Sequence, residues 1–570
     1  MMKEMDLYKL WKEKATEDPD LVKELIEIED KPVEIKNRFY ADLEFGTAGL
    51  RGVLGAGTYC MNIYTVRRAT QGLADYINEK YDNACAAIGY DSRNKSYLFA
   101  KEAASVLAAN NIKVYIFPEL EPTPLLSFAV RHLKAKTGIV ITASHNPAKY
   151  NGYKCYGEDG CQMTSEAAGA VYNKLESVDY FDGPKTIDFD EGLKTGMINW
   201  IGEDLLEEYY KNVMAQSINP DIIAKAGLRL VYSPLNGAGN KPVRTVLSRC
   251  GIKDIFVVKE QENPDGNFPT TPFPNPEKRQ CFDLAIKLAE TTKPDLLLAT
   301  DPDSDRVGIA VNQGGEYILM TGNEVGALLC NYIFSQRTQL GTMPKDPIAV
   351  KTIVTTNIVD PICKEYGVQL KLVLTGFKYI GEQILLLEQK GEENRYVFGF
   401  EESYGYLAGT YVRDKDAVVA SMLIVEMASY YKSQGKTLYD VMQELYAKYG
   451  YYLNCVSEIV REGADGMAQL AAIMKKLRSE TPSEIGGYKV TALADYDTSV
   501  YTDLETGTTK EIFLPKSNVL SYSLEGGNAL IVRPSGTEPK IKIYCTAKGK
   551  DKADAQAIAD KLMGWADKAL

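Results

Sequence analysis

The sequence predicts three successive α/β units followed by an α+β unit. Short apolar runs of strand length alternate with longer amphipathic stretches of helix length, the pattern of parallel sheets covered by helices. The alternation restarts near Leu205 and again near Met320, and beyond Tyr451 it gives way to crowded β runs. These breaks divide the chain into 1–204, 205–320, 321–448 and 449–570. The units share a pattern and no recognisable sequence repeat.

In the first unit, charged helices are expected over 7–14 and 21–28. The stretch 45–52 is too glycine-rich for a helix. Its glycines let backbone N–H groups approach an anion, and Arg51 adds a fork-shaped charge. A helix over 64–80 leads to a strand over 86–90 that ends in Asp91-Ser92-Arg93. Helix 96–110 and strand 113–117 follow. The apolar run 137–141 reads as a buried strand that delivers Ser144 and His145 on a turn forced by Asn146-Pro147.

The second unit reads as helix 205–214, strand 228–232, helix 241–250, strand 254–258, a Pro-rich loop over 264–276, helix 282–290 and strand 295–299. It ends in Asp301-Pro302-Asp303-Ser304-Asp305-Arg306. In the third unit, helices over 324–334, 358–366 and 379–389 alternate with strands over 348–354, 369–374 and 395–400. Glu401-Glu402-Ser403-Tyr404-Gly405 follows, and then an apolar helix over 417–431. The last unit holds a strand over 451–460, a helix over 467–478 and several β runs. The run 530–532 leads to Arg533-Pro534-Ser535-Gly536-Thr537-Glu538, and a helix over 553–568 closes the chain.

A chain of 570 residues exceeds one core. Lys plus Arg is 65 and Asp plus Glu is 77, giving a net charge of −12. That balance argues against nucleic-acid binding or attachment to an anionic membrane, and it leaves room for a local basic pocket. Ten scattered cysteines without a CxxC, and only two histidines, argue against a zinc cluster and fit a reducing cytosol. The first six residues lack the apolar core of a signal peptide, and no apolar run approaches 18 residues. A cytoplasmic monomer or homodimer is expected.

The chemistry lies in the loops at strand ends, where α/β sheets place ligands. Asp301, Asp303 and Asp305 alternate, so an extended backbone would put three carboxylates on one side. Such a cluster needs a cation, and oxygen ligands favour Mg²⁺ or Ca²⁺. An EF-hand is excluded, since its sixth position would be Arg306 and its twelfth Asn312. Arg306 suits phosphate charge, and Arg533 to Thr537 offers a guanidinium, two hydroxyls and an open glycine N–H, a phosphate cradle in kind. With a serine nucleophile and a Glu/Ser contact for a polyol, the set suits phosphoryl transfer. A Ser/His/Asp hydrolase fits poorly, since GxSxG is missing and His132 is the one other histidine.

The ordered motifs FGTAGLRG (45–52), TASHNP (142–147), DPDSDR (301–306), TGFK (375–378), FEESYG (400–405) and RPSGTEPKIK (533–542) cover nearly the whole chain. On them the chain resembles the α-D-phosphohexomutase superfamily, the phosphoglucomutase/phosphomannomutase enzymes. The resemblance implies three related α/β domains and a C-terminal α+β domain of the TATA-box-binding-protein-like type around a central cleft. It implies that Ser144 carries the transferable phosphate and that Asp301, Asp303 and Asp305 hold Mg²⁺ together with it. Arg51 and Arg306 would steady that phosphate, and Glu401 and Ser403 would bind sugar hydroxyls. Gly376 and Phe377 would line the sugar-specificity loop, while Arg533, Ser535, Gly536 and Thr537 would grip the non-reacting phosphate. Lys154 matches a lysine beside the phosphoserine, and Lys415 matches one linked to proton transfer. A lysine acting as base needs its pKa lowered by burial or cationic neighbours. His145 is read as an orienting hydrogen-bonder for the serine loop.

The implied reaction interconverts glucose 1-phosphate and glucose 6-phosphate, with glucose 1,6-bisphosphate as intermediate and activator. A phosphopentomutase, or a mutase that also takes mannose phosphates, is the alternative. A silent sugar-phosphate sensor and a metal-dependent phosphatase are the readings from other classes. Pro302 and Ser304 replace two glycines common in the family's metal loop. Gly405 stands where the bacterial phosphomannomutase branch carries a histidine.

Overall fold

The computed structural model describes residues 2–46, 49–461, 466–535 and 540–570. Four sheets follow one another along the chain. The first has the order Gly49–Val53, Tyr150–Gly157, Thr137–Ile141, Cys85–Tyr90, Lys113–Ile116, Ile198–Trp200. Its last four strands run parallel, and the first two close the other edge antiparallel. Thr137–Ile141 is buried at every residue, as a strand covered on both faces must be.

The second sheet runs Glu316–Met320, Val307–Gln313, Leu296–Thr300, Arg229–Ser233, Asp254–Val257. The third runs Gln369–Val373, Ile348–Thr352, Tyr396–Glu401, Gly405–Leu407. The fourth is antiparallel and begins Tyr451–Val460, Lys540–Gly549, Asn528–Pro534, Leu520–Leu524, Tyr488–Asp495. The helices Gly466–Ser479 and Lys552–Ala569 pack on it.

Several elements escape the sequence reading. The strand Tyr150–Gly157 mixes tyrosines with glycines, Asn151 and Lys154, so it hides the apolar pattern of a central strand. The helix Thr123–His132 follows one proline and holds another in its first turn, and Pro32–Phe39 is short. The hairpin of Val307–Gln313 with Glu316–Met320, directly after the aspartates, is a further element that the periodicity does not predict.

Most of the first unit packs around a core of its own, while its helix Thr123–His132 joins the second and third units in one continuous apolar core, threaded by the helix Ala417–Lys432, which is buried almost all round. The fourth has its own core. It meets the third through a small patch that includes Val354, Leu374, Tyr496 and Tyr544. A cleft of about 980 Å³ opens where loops from all four units converge. No helix among the described residues is long and apolar enough to cross a membrane.

Candidate active site

The rigid strand Thr137–Ile141 ends in a tight turn. Thr142 Oγ1 donates to Asp91 Oδ2 at 2.6 Å and accepts the Ser144 N–H at 2.8 Å. Ser144 holds a left-handed φ of 52°, which costs a residue with a side chain about 1–3 kcal/mol. Its Oγ lies 3.0 Å from Asp301 Oδ2 and 3.2 Å from His145 Nδ1. Burial, together with Arg306 and Arg51, pushes His145 down to about 2, so its ring is neutral.

The segment 301–305 is not extended, contrary to the period-two expectation. Ser304 N–H donates to Asp301 O at 2.9 Å, and Ser304 takes a φ of 50°. Asp301 Oδ1 accepts the N–H groups of Asp305 and Arg306. Pro302 fixes its own φ, and Asp301 serves the backbone ahead of it, so the segment turns. The three carboxylates still converge. Their nearest oxygens lie within 4.8 Å of one another, and all three residues are buried. Asp303 Oδ1 and Asp305 Oδ1 are buried with no hydrogen-bond donor among the described residues. Unserved buried carboxylate oxygens of this kind fit a hard divalent cation.

Two lysines answer the acidic charge. Lys154 Nζ stands 3.0 Å from Asp303 Oδ2, and Lys415 Nζ stands 3.1 Å from Asp305 Oδ2. Burial and the neighbouring aspartates push Asp301 well above the usual carboxylate range. Burial acts on Asp303 in the same direction, but Lys154 and Lys415 outweigh it and hold that carboxyl low. Burial lowers Lys415, and Asp305 and Asp414 more than reverse this, so its pKa is raised. The downward shift expected of a basic lysine is not found at Lys415, because two carboxylates face it.

Arg306 Nη1 pairs with Glu277 Oε1 at 3.0 Å. Arg51, on Gly49–Val53, is exposed, and its charge acts on Asp303 and His145. The cleft wall carries Arg306, Gly376, Phe377, Glu401, Ser403 and Arg533. Ser403 Oγ donates to Glu401 Oε1 at 3.0 Å. Ser535 follows the strand Asn528–Pro534, and its N–H donates to Lys540 O at 2.8 Å. Gly536 and Thr537 lie outside the described residues.

Sequence reasoning missed other residues at the site. Thr123 Oγ1 donates to Asp303 Oδ2 at 3.0 Å. Asp414 accepts from Tyr156 Oη at 2.7 Å and from the Lys415 N–H at 2.8 Å. Glu402, raised to about 7 by burial and Glu401, faces the cleft as well. Arg93 grips the serine turn. Its signal is present in the chain, since Asp91-Ser92-Arg93 ends a strand beside the serine strand.

Comparison with known proteins matches the chain to one family over four consecutive segments. The phosphoglucomutase/phosphomannomutase α/β/α domains I, II and III match residues 42–181, 207–315 and 321–449. The C-terminal domain of the same enzymes matches 459–564. The chain belongs to the phosphoglucomutase/phosphomannomutase family. A phosphoglucomutase of Staphylococcus aureus strain bovine RF122/ET3-1 is 38% identical over 541 residues, 95% of each chain. That of strain MRSA252 is 38% identical over 555 residues, 97% of each. Two solved structures share the fold. A putative phosphomannomutase from Thermus thermophilus has a TM-score of 0.68 at 23% identity, covering 93% of this chain and 99% of its own. The open form of the Paramecium phosphoglucomutase parafusin has a TM-score of 0.69 at 16% identity, covering 93% and 95%.

All four family domains contribute residues to the cleft and the serine–aspartate centre beside it. Ser144 lies in the match to domain I, the aspartates in domain II, Glu401 in domain III and Arg533 in the C-terminal domain. The chain's glycine at 405 has a local cause. A Cβ there would lie 2.1 Å from Lys415 Cδ, so a side chain at 405 and this lysine compete for one space.

Proposed function

We propose that the protein interconverts glucose 1-phosphate and glucose 6-phosphate through a phosphoserine at Ser144 and a glucose 1,6-bisphosphate intermediate. The carrying observation is Ser144 Oγ, 3.0 Å from Asp301 Oδ2 at the edge of a buried aspartate triad. Relatives named phosphoglucomutase that match nearly the whole chain support glucose as the sugar. Asp301, Asp303 and Asp305 would hold Mg²⁺ together with the phosphate on Ser144. Such an ion polarises phosphoryl oxygens and neutralises charge that develops in transfer.

The chain's own groups do the rest. Arg51, Arg306 and Lys154 steady the phosphate on Ser144 as charged donors. Neutral His145 orients Ser144 Oγ. The C6 hydroxyl of glucose 1-phosphate attacks the phosphorus. The Ser144 Oγ–P bond breaks, an O6–P bond forms, and the O6 proton is passed on to the leaving Ser144 Oγ. The bisphosphate turns around in the cleft, and its C1 phosphate returns to Ser144 Oγ while O1 takes a proton back. Lys415, held protonated by Asp305 and Asp414, is the proton carrier of this reading, giving its own proton to the leaving oxygen as it takes up the one the attacking hydroxyl releases. Glu401, held by Ser403, meets sugar hydroxyls in both orientations. Gly376 and Phe377 border the sugar. Arg533, Ser535, Gly536 and Thr537 grip the phosphate that is not reacting, and glucose 1,6-bisphosphate primes the serine. Ten free cysteines are in keeping with a cytoplasmic setting.

The test is turnover of glucose 1-phosphate, mannose 1-phosphate and ribose 1-phosphate by the wild type and by Ser144→Ala. Glucose 1-phosphate is expected to be the best substrate, and the folded Ser144→Ala protein is expected to be inactive on all three. Unchanged turnover in that variant overturns the phosphoserine, and ribose 1-phosphate as best substrate replaces the sugar.

A further inference from the structure

The Pro-rich segment 263–278 of the second unit runs without helix or strand. Unstructured runs of this length inside compact domains generally carry a role. This one crosses to the first unit and lands on Arg93. Phe268 is buried, with its ring centroid 5.1 Å from the Arg93 guanidinium carbon. The approach is close at Gly266, where a Cβ would lie 2.3 Å from Asn94 N and 2.8 Å from Arg93 C. Asn94 Nδ2 also donates to Asn267 Oδ1 at 2.9 Å.

Arg93 is the buried centre of the serine turn. Its Nη1 donates to Pro147 O at 3.0 Å and to Tyr150 O at 3.1 Å, and its Nη2 donates to Ser144 O and Asn146 O. One guanidinium thus fixes four carbonyls of the loop that presents Ser144, against the left-handed φ of that residue. Asp91 Oδ2 holds Arg93 Nε from the side at 3.3 Å. At its far end the same segment carries Glu277, which pairs with Arg306 beside the aspartates.

We propose that the segment 263–278 is a strap that sets the position of Ser144 against Asp301, with Phe268 stacked on Arg93 as its contact. Phe268 and Arg93 are positioning residues for phosphoryl transfer, and neither touches the sugar. This rests on the mutase reading given above. Cation–π stacking fixes the guanidinium plane, the plane fixes the four carbonyls, and the carbonyls fix the serine. A displaced serine costs the chemical step and leaves sugar binding intact, because the residues assigned to the sugar, Glu401, Ser403, Gly376 and Phe377, lie on the third unit, and the strap borders the cleft at its far end, with Asn275, Glu277 and Lys278, away from Phe268.

The experiment compares Phe268→Leu and Gly266→Ala with the wild type, after thermal melts show each variant folded. Gly266→Ala needs no positive φ, so it lifts the strap by the added methyl alone. Both variants are expected to lower kcat for glucose 1-phosphate about tenfold with KM within about twofold. Combined with Arg93→Lys, Phe268→Leu is expected to add little further loss, since both act through one group. Amide hydrogen exchange over 143–148 is expected to quicken in both variants while Cys85–Tyr90 stays protected. Wild-type kcat and unchanged exchange in folded variants overturn the proposal. So do a rise in KM at constant kcat and full multiplication with Arg93→Lys. An inactive wild-type protein overturns the mutase reading alone, since the exchange measurement needs no substrate.

Discussion

Gly405 leaves the space that Lys415 occupies. Adding a Cβ brings a carbon to 2.1 Å from Lys415 Cδ and 2.7 Å from its Cγ, well inside contact distance. Lys415 reaches Asp305 from a buried position, with Asp414 on its other side, so it has little space for retreat. Gly405→Ala is therefore expected to displace Nζ from Asp305 and to lower kcat about tenfold or more, since misplacement of a reacting group by about 1 Å is enough for that. The readout is kcat at saturating glucose 1-phosphate in protein shown to be folded by its melt. Wild-type kcat would show that Lys415 has no part in the reaction. Any side chain larger than glycine's at this position meets Lys415 in the same way.

The helix Ala417–Lys432 organises the next scale up. It is buried almost all round, and Glu426 sits in its middle at 0% exposure. A carboxylate there costs several kcal/mol unless it is fully served. It accepts the N–H groups of Ile218 and Asn219 at 3.0 Å, Tyr332 Oη at 2.9 Å and Ser217 Oγ. Glu426 thus ties the connection 217–219, between helix and sheet of the second unit, to the shared core. Glu426→Ala leaves two backbone donors and a phenol buried and unserved, which is expected to cost about 3 kcal/mol or more. Chemical denaturation checks it, and a loss under about 1 kcal/mol would remove the tie. This helix was legible in the sequence because its apolar run is long, but the run gives no sign of the partners that Glu426 finds in its middle. The strands Thr137–Ile141 and Leu296–Thr300 were legible for the same reason, and their end loops showed the serine and the aspartates. Tyr150–Gly157 was not legible, because its place between two strands, rather than its residues, makes it a strand. The roles of Arg93, Thr123 and Asp414 depend on contacts over long separations that no local pattern records.

At the scale of the whole molecule, a buried carboxyl near the junction of the first two units, Glu121, makes stability respond to pH. It follows the strand Lys113–Ile116 in the first unit and is 5% exposed. Lys241 on the helix Asn240–Arg249 and Tyr210 on Glu203–Met214 face it from the second unit, with Glu119 beside it. Burial raises Glu121 to about 8, and Lys241 offsets only part of that rise. The sign follows from which state holds the proton. Below the ordinary value of about 4.5, both folded and unfolded chains are protonated and the contribution is complete. Between there and about 8 the unfolded chain has released the proton while the folded chain keeps it, so folding loses stability as pH rises. Each unit of separation is worth about 1.4 kcal/mol, so the loss across this window is on the order of a few kcal/mol. Glu121→Gln keeps the neutral shape and removes the titration. The variant is expected to match the wild type near pH 5 and to melt at a higher temperature near pH 8, the gap widening steadily between them. Parallel melting curves across the window would show that Glu121 ionises in the folded protein as it does in the unfolded chain, and that the junction of the first two units does not sense pH through it.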